Sequence, residues 1–309
     1  MNEKYMNIFP DMFFDINTND AIKDILAQTS EMFSTMIYKL GEVSNELNYS
    51  IEVNQDDSYL HLVITLFVRK LMEQVDAINI LYSHGSITEA ELILRSMLET
   101  VVALKFILLK DDTDREETRF RAAAYFMGHQ YQEMSIADKQ MQPGGLMDGR
   151  MSSEDQQKWD RKKKAISNMI QRNAVFKRVD DERNKLKKPE KSAWYEVAGV
   201  HSVRDMMTVV GMEKYYEGLY GPLSFETHAL NVAVAMKVKD DGFYPNRIRS
   251  PHNGASTFSL TCTFATISLR DLYKYLGDGD EEKHDFAEFY QGFMAKRDIV
   301  EKNLNRIVY

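Results

Sequence analysis

Apolar residues recur every three to four positions over most of the chain, the spacing that puts them on one side of a helix. Residues 18–47 open at an Asn/Asp cap and place Ile22, Ile25, Leu26, Met32, Phe33, Met36, Ile37 and Leu40 in that pattern. A short linker is expected over 48–57. A second helix is predicted over 58–84 with Gly85 as its stop signal, and a third from Ile87 to about Lys110. The turn "HGS" between them is so short that the two must be antiparallel neighbours. A fourth helix over 113–140 carries acidic residues in its first turn, where the helix dipole favours them. "MQPGGLMDGRM" then breaks the pattern, giving an internal loop near 141–152. A polar, basic helix is predicted near 153–187, and short helices over 201–210 and 212–239. An irregular loop runs over 240–254. A helix rich in β-branched residues but long enough to be buried covers 255–277, and an amphipathic helix closes the chain. Period-two alternation, internal repeats and low-complexity tracts are absent from this pattern. The prediction is an all-α, multi-helix bundle of roughly eight to ten helices. It comprises an N-terminal arm over 1–18, with Phe9, Phe13 and Phe14 as anchors, and a single helical domain over 19–309.

Composition fits that reading. Only 15 glycines and 6 prolines interrupt 309 residues, and 44% hydrophobic content suffices for a sizeable core. One cysteine, Cys262, excludes an internal disulfide and is expected in the core. The most apolar run, "VVALKFILL", is short and carries Lys105, so no membrane span is expected. The start lacks a basic segment followed by an apolar one, so a cytoplasmic location is the default. The net charge of −8 argues against general nucleic-acid binding, but the charge is segregated. Residues 158–191 hold 13 Lys and Arg against 5 Asp and Glu, a surplus of +8 that leaves −16 elsewhere. Arg161, Lys162, Lys163, Lys164, Arg172, Lys177 and Arg178 could follow a phosphate backbone along such a helix. The plainer alternative is a solvated helix paired with the acidic remainder of this chain or of a second copy. A homodimer is expected on that ground.

Polar residues on apolar helices are the candidate site. Arg95 and Glu99 are four apart on the third helix and can pair. Tyr220, Ser224 and His228 follow one another at the same spacing further along. Each group is either an ion pair or hydrogen-bonded stripe that fixes helix register, or one wall of a functional cleft. The two stripes are expected to face each other. A serine hydrolase is disfavoured, because no strand-turn-helix elbow precedes Ser224. "RIRSPH" places Arg247 and His252 five apart, a short pattern that also suits a surface loop. No metal or cofactor is expected. The single Glu281–His284–Glu288 and His129–Glu133 spacings lack the second copy that a dinuclear site requires, and "PGG" lacks the Lys-Ser/Thr of a phosphate loop.

Gly85, Glu89, Ala90, Leu94, Arg95 and Glu99 form one ordered segment. Trp194, Arg204, Tyr216, Tyr220, Leu223, Ser224 and His228 form another. Taken together over about 57–276, the chain resembles a family of bacterial all-helical proteins catalogued only as a domain of unknown function. That family's helical layout is similar to that of HEPN proteins, many of which are RNA-cutting toxins or antiviral effectors. The resemblance implies an RNA-directed nuclease or toxin-type effector in bacterial stress or phage defence. Arg95, Glu99, Tyr220, Ser224 and His228 are then its candidate catalytic side chains, and Arg247–His252 matches the Arg-to-His spacing of those nucleases. The alternative is a non-enzymatic helical module that binds a partner protein or small ligand in its polar core.

Overall fold

The computed structural model describes residues 20–53, 58–111, 113–148, 150, 152–221, 236–239, 242–245, 254–277 and 280–306. Four long helices make the centre: α1 (Asp20–Val53), α2 (Ser58–Ser83), α3 (Ile87–Leu108) and α10 (Gly254–Leu276). α1 packs along α2, α2 along α3, and α10 closes against α1 and α3; α11 (Asp280–Leu304) lies on α10 and α1. Gly85 ends α2 at φ 74°, a left-handed conformation that costs glycine little. Its N–H and that of Ser86 return to the carbonyls of Tyr82 and Leu81, both at 2.9 Å. The chain therefore reverses at once, and α2 and α3 lie side by side.

The core is aliphatic and aromatic. Phe33, Met36, Leu40, Leu71, Phe106, Phe258 and Cys262 are fully enclosed. Phe33 meets Tyr82 and Phe258 edge-on, each with ring centres 5.6 Å apart. The second half of α3 is buried on nearly every side, from Val101 to Leu104 and from Phe106 to Leu108. α10 buries hydroxyls as well, and its own backbone satisfies them. Thr261 donates to the Thr257 carbonyl at 2.7 Å, Thr266 to Cys262 at 2.9 Å and Ser268 to Phe264 at 3.0 Å.

A satellite region hangs from α4 (Arg115–Met141). Its outer side carries α5 (Ser153–Arg172) and α6 (Ala174–Asn184) around a small cluster of Phe120, Ala123, Ala124, Met127, Ile166, Phe176 and Val179. Trp194, at the start of the one-turn α7 (Trp194–Val197), approaches α4 where it has glycine. A Cβ on Gly128 would fall 2.4 Å from that of Trp194. α8 (Val203–Val209) and the short α9 (Glu213–Tyr215) follow, and α9 runs into a π-helical turn over Tyr216–Tyr220.

The all-α bundle is as predicted, with eleven α-helices among the described residues. Several local expectations change. The linker begins later than expected, because α1 continues to Val53. The basic segment is two helices rather than one over 153–187. Asn173 ends α5 and starts α6, its side-chain oxygen accepting from the N–H groups of Val175 at 2.9 Å and Phe176 at 3.4 Å. The expected helix over 212–239 and the expected irregular loop over 240–254 are both corrected by an antiparallel hairpin, β1 (Met236–Lys239) with β2 (Gly242–Pro245). Its four-residue strands are too short for alternation to register.

Candidate functional site

α3 carries a polar stripe of Glu91, Arg95 and Glu99, spaced one turn apart. Glu99 lies 3.7 Å from the Nε of Arg95, and Nη2 of Arg95 donates to the Tyr220 hydroxyl at 3.3 Å. The guanidinium also sits 4.8 Å from the centre of the Tyr220 ring. Arg95 is mostly enclosed, at 18% side-chain exposure, while Glu99 at 43% reaches solvent. The pair thus stands at a rim rather than sealed in the core.

The π-helical turn brings Tyr216 and Tyr220 into a parallel stack, with ring centres 5.1 Å apart and 15° between planes. Arg204 of α8 lies over the Tyr216 ring, 5.4 Å from its centre, and pairs with Glu217 at 3.2 Å. Each stacked ring thus has a guanidinium beside it, Arg204 at Tyr216 and Arg95 at Tyr220. α8 is fixed beneath the stack by the buried Met206 and Met207 and by a Ser202 cap, whose hydroxyl accepts from Asp205 N–H at 3.0 Å. π-turns occur disproportionately at functional sites, because the widened ring re-aims side chains.

Electrostatics fix the protons. Burial raises the Tyr220 pKa above its ordinary value and Glu99 adds to the rise, while Arg95 opposes it. Tyr195 on α7 is also raised, by burial and then by Glu196, Tyr220 and Glu99. Both phenols therefore keep their protons at neutral pH, and that of Tyr220 accepts from Arg95.

Arg95, Glu99 and Tyr220 are thus brought together from segments 125 residues apart. Ser224 and His228 lie outside the described residues, as do Arg247 and His252. Glu91 was missed from the sequence: it stands one turn before Arg95, and its carboxylate is 3.5 Å from the Thr257 hydroxyl at the start of α10. Its spacing from Arg95 was the available signal.

The seven basic residues divide. Lys162 pairs with Glu133 at 2.5 Å and Lys163 with Asp138 at 2.6 Å. Arg178 reaches Glu117 at 3.5 Å and covers the Phe120 ring at 4.0 Å. Arg161, Lys164, Arg172 and Lys177 face solvent. Among the described residues no group of three or more His, Cys, Asp or Glu could hold a metal ion, and no helix is long and apolar enough to cross a membrane. Cys262 is buried, as expected of a core thiol, and burial raises its pKa. A family model described as "Family of unknown function (DUF5677)" matches residues 61–244. No curated protein and no solved structure matches the chain.

Proposed function

The chain belongs to that family of unknown function, and we propose, from the resemblance to HEPN proteins together with the chemistry of its polar cluster, that it is a HEPN-like, RNA-directed nuclease or toxin-type effector of bacterial stress or phage defence. The observation that carries this reading is Arg95. It is a mostly enclosed guanidinium near a rim, oriented by Glu99 and Tyr220. Such a group suits a phosphate whose negative charge grows in the transition state. The family match supports His228 over His252 as its partner, because residues 61–244 include the former and end before the latter. In this scheme His228 takes the 2′-hydroxyl proton as that oxygen attacks the adjacent phosphorus. The bond from phosphorus to the 5′-oxygen breaks, that oxygen leaves with a proton from solvent, and Arg95 balances the phosphate charge. The exposed Arg161, Lys164, Arg172 and Lys177 hold the strand.

Purified protein incubated with RNA in excess chelator should cleave it, and His228→Ala or Arg95→Ala should lower the rate by about 100-fold or more. Absence of cleavage under every condition, or variants as active as the wild type, ends the assignment. A second reading is a non-enzymatic module that binds a partner or ligand in the polar cluster. It is favoured by one observation: Arg95 and Arg204 already have carboxylates beside them, and each lies over one of the two stacked tyrosine rings. Binding without cleavage, lost on Arg204→Ala, would select it.

A further inference from the structure

α5 is a 20-residue helix whose only buried residue is Ile166. One end leaves the 142–152 loop and the other stops at the Asn173 cap. Its attachment to α4 is largely ionic, through Lys162 to Glu133 and Lys163 to Asp138, and all four side chains are between 36% and 46% exposed. Trp159 lies beside the same contacts, with both ammonium groups 5.7 Å from its ring. Next along the chain, Arg178 of α6 reaches Glu117 of α4. The other side of α5 carries Arg161, Lys164 and Arg172. Arg161 and Arg172 are eleven positions apart, about three helical turns, so they share one side. One side of α5 is thus open to a polyanion, while the adjoining lysines are held by carboxylates of the same chain.

We propose that Glu133 and Asp138, with Glu117 beyond them, act as an internal stand-in for phosphate, and that a phosphate chain displaces them from Lys162 and Lys163 and so adds two cations to the surface it meets. This rests on the reading above that the basic segment holds RNA. It adds a regulatory contact: α4 restrains the basic arm until a strand of sufficient charge competes for it. Exchange of carboxylate for phosphate suits lysine, whose ammonium acts as a point charge with no fixed geometry.

The test is binding by the full chain, measured without reference to cleavage, of a labelled 20-nucleotide single-stranded RNA and, separately, of inorganic polyphosphate. Glu133→Gln/Asp138→Asn removes the competing charges and keeps the side-chain shapes. It should bind about tenfold more tightly at ~0.15 M salt, with a salt slope steeper by about two phosphate contacts. Adding Lys162→Gln/Lys163→Gln should return binding to the wild-type level. Circular dichroism verifies that each variant is folded. Gain with both probes supports displacement by any phosphate chain, and gain with RNA alone supports it with nucleic acid as the source. Unchanged or weaker binding of both probes by the carboxylate variant overturns the proposal, as does a gain that survives loss of the lysines. A chain that fails to cut RNA but passes this test loses only the nuclease assignment.

Discussion

The central bundle and the α4–α5–α6 arm are built from the same element and held by different forces. α3 buries twelve of its 22 residues against α2 and α10. α5, nearly as long, buries one of 20 and has Lys162 and Lys163 tied to α4 through exposed carboxylates. Burial of a large apolar side chain is worth about 1.5–3 kcal/mol, whereas an exposed ion pair contributes about 0–1 kcal/mol. One region is therefore fixed by packing and the other lightly held, and the lightly held one carries the surplus positive charge. Segregation that pointed to a second subunit is thus partly met within the chain.

The largest effect expected from this contrast is on stability. Phe33→Ala removes a fully buried ring that touches both Tyr82 and Phe258. It should lower the unfolding free energy by about 3–5 kcal/mol. Ile166→Ala, at 7% exposure in the arm, should cost less than half as much. Denaturant unfolding of the two variants measures both, and equal losses would show that the arm belongs to the same cooperative core.

The contrast was only partly legible in the sequence. Long apolar periodicity gave α2, α3, α10 and α11, because helices that pack on a large core repeat their pattern over many turns. The break at Asn173 was not seen, since a polar helix has no apolar stripe whose phase could change there. Arg95 and Glu99 stood out because charge on an apolar helix is conspicuous. Arg204 did so only through the resemblance, and Glu91 not at all. The stack of Tyr216 on Tyr220 depends on a π-turn, and nothing in "YEGLY" announces a widened ring. The pairing of Lys162 and Lys163 joins α4 to α5 across the loop, and such contacts follow no local spacing.

A smaller effect should separate the regions at alkaline pH. Tyr82 in the core and Tyr131 in the arm both have pKa values raised chiefly by burial, Tyr131 also by the hydrogen bond it donates to Asp180. The folded state holds these protons more tightly than the unfolded chain, whose tyrosines titrate near 10.0. Stability is therefore full below that pH and falls as pH rises through the folded values. Tyr131 can ionise when the arm alone opens, but Tyr82 only when the bundle does. Absorbance at 295 nm should show Tyr131→Phe removing an early component and Tyr82→Phe a late one; simultaneous ionisation would erase the distinction.

The smallest effect is the most diagnostic of how the arm is held. Lys162→Ala removes the contact to Glu133, both side chains being more than a third exposed. Solvent screens such a pair, so the loss of global stability should stay below about 1 kcal/mol. It should shrink further in ~1 M salt, where the screening length is about 3 Å. Amide exchange should report the change more sharply than unfolding does, because local opening has its own free energy, well below the global one. Residues of α5 should lose protection in Lys162→Ala while Val101, Val102 and Leu104 of α3 keep theirs. High salt should produce the same pattern in the wild type. Loss of protection in α3, or none in α5, would mean that the charges do not hold the arm and that its few apolar contacts suffice.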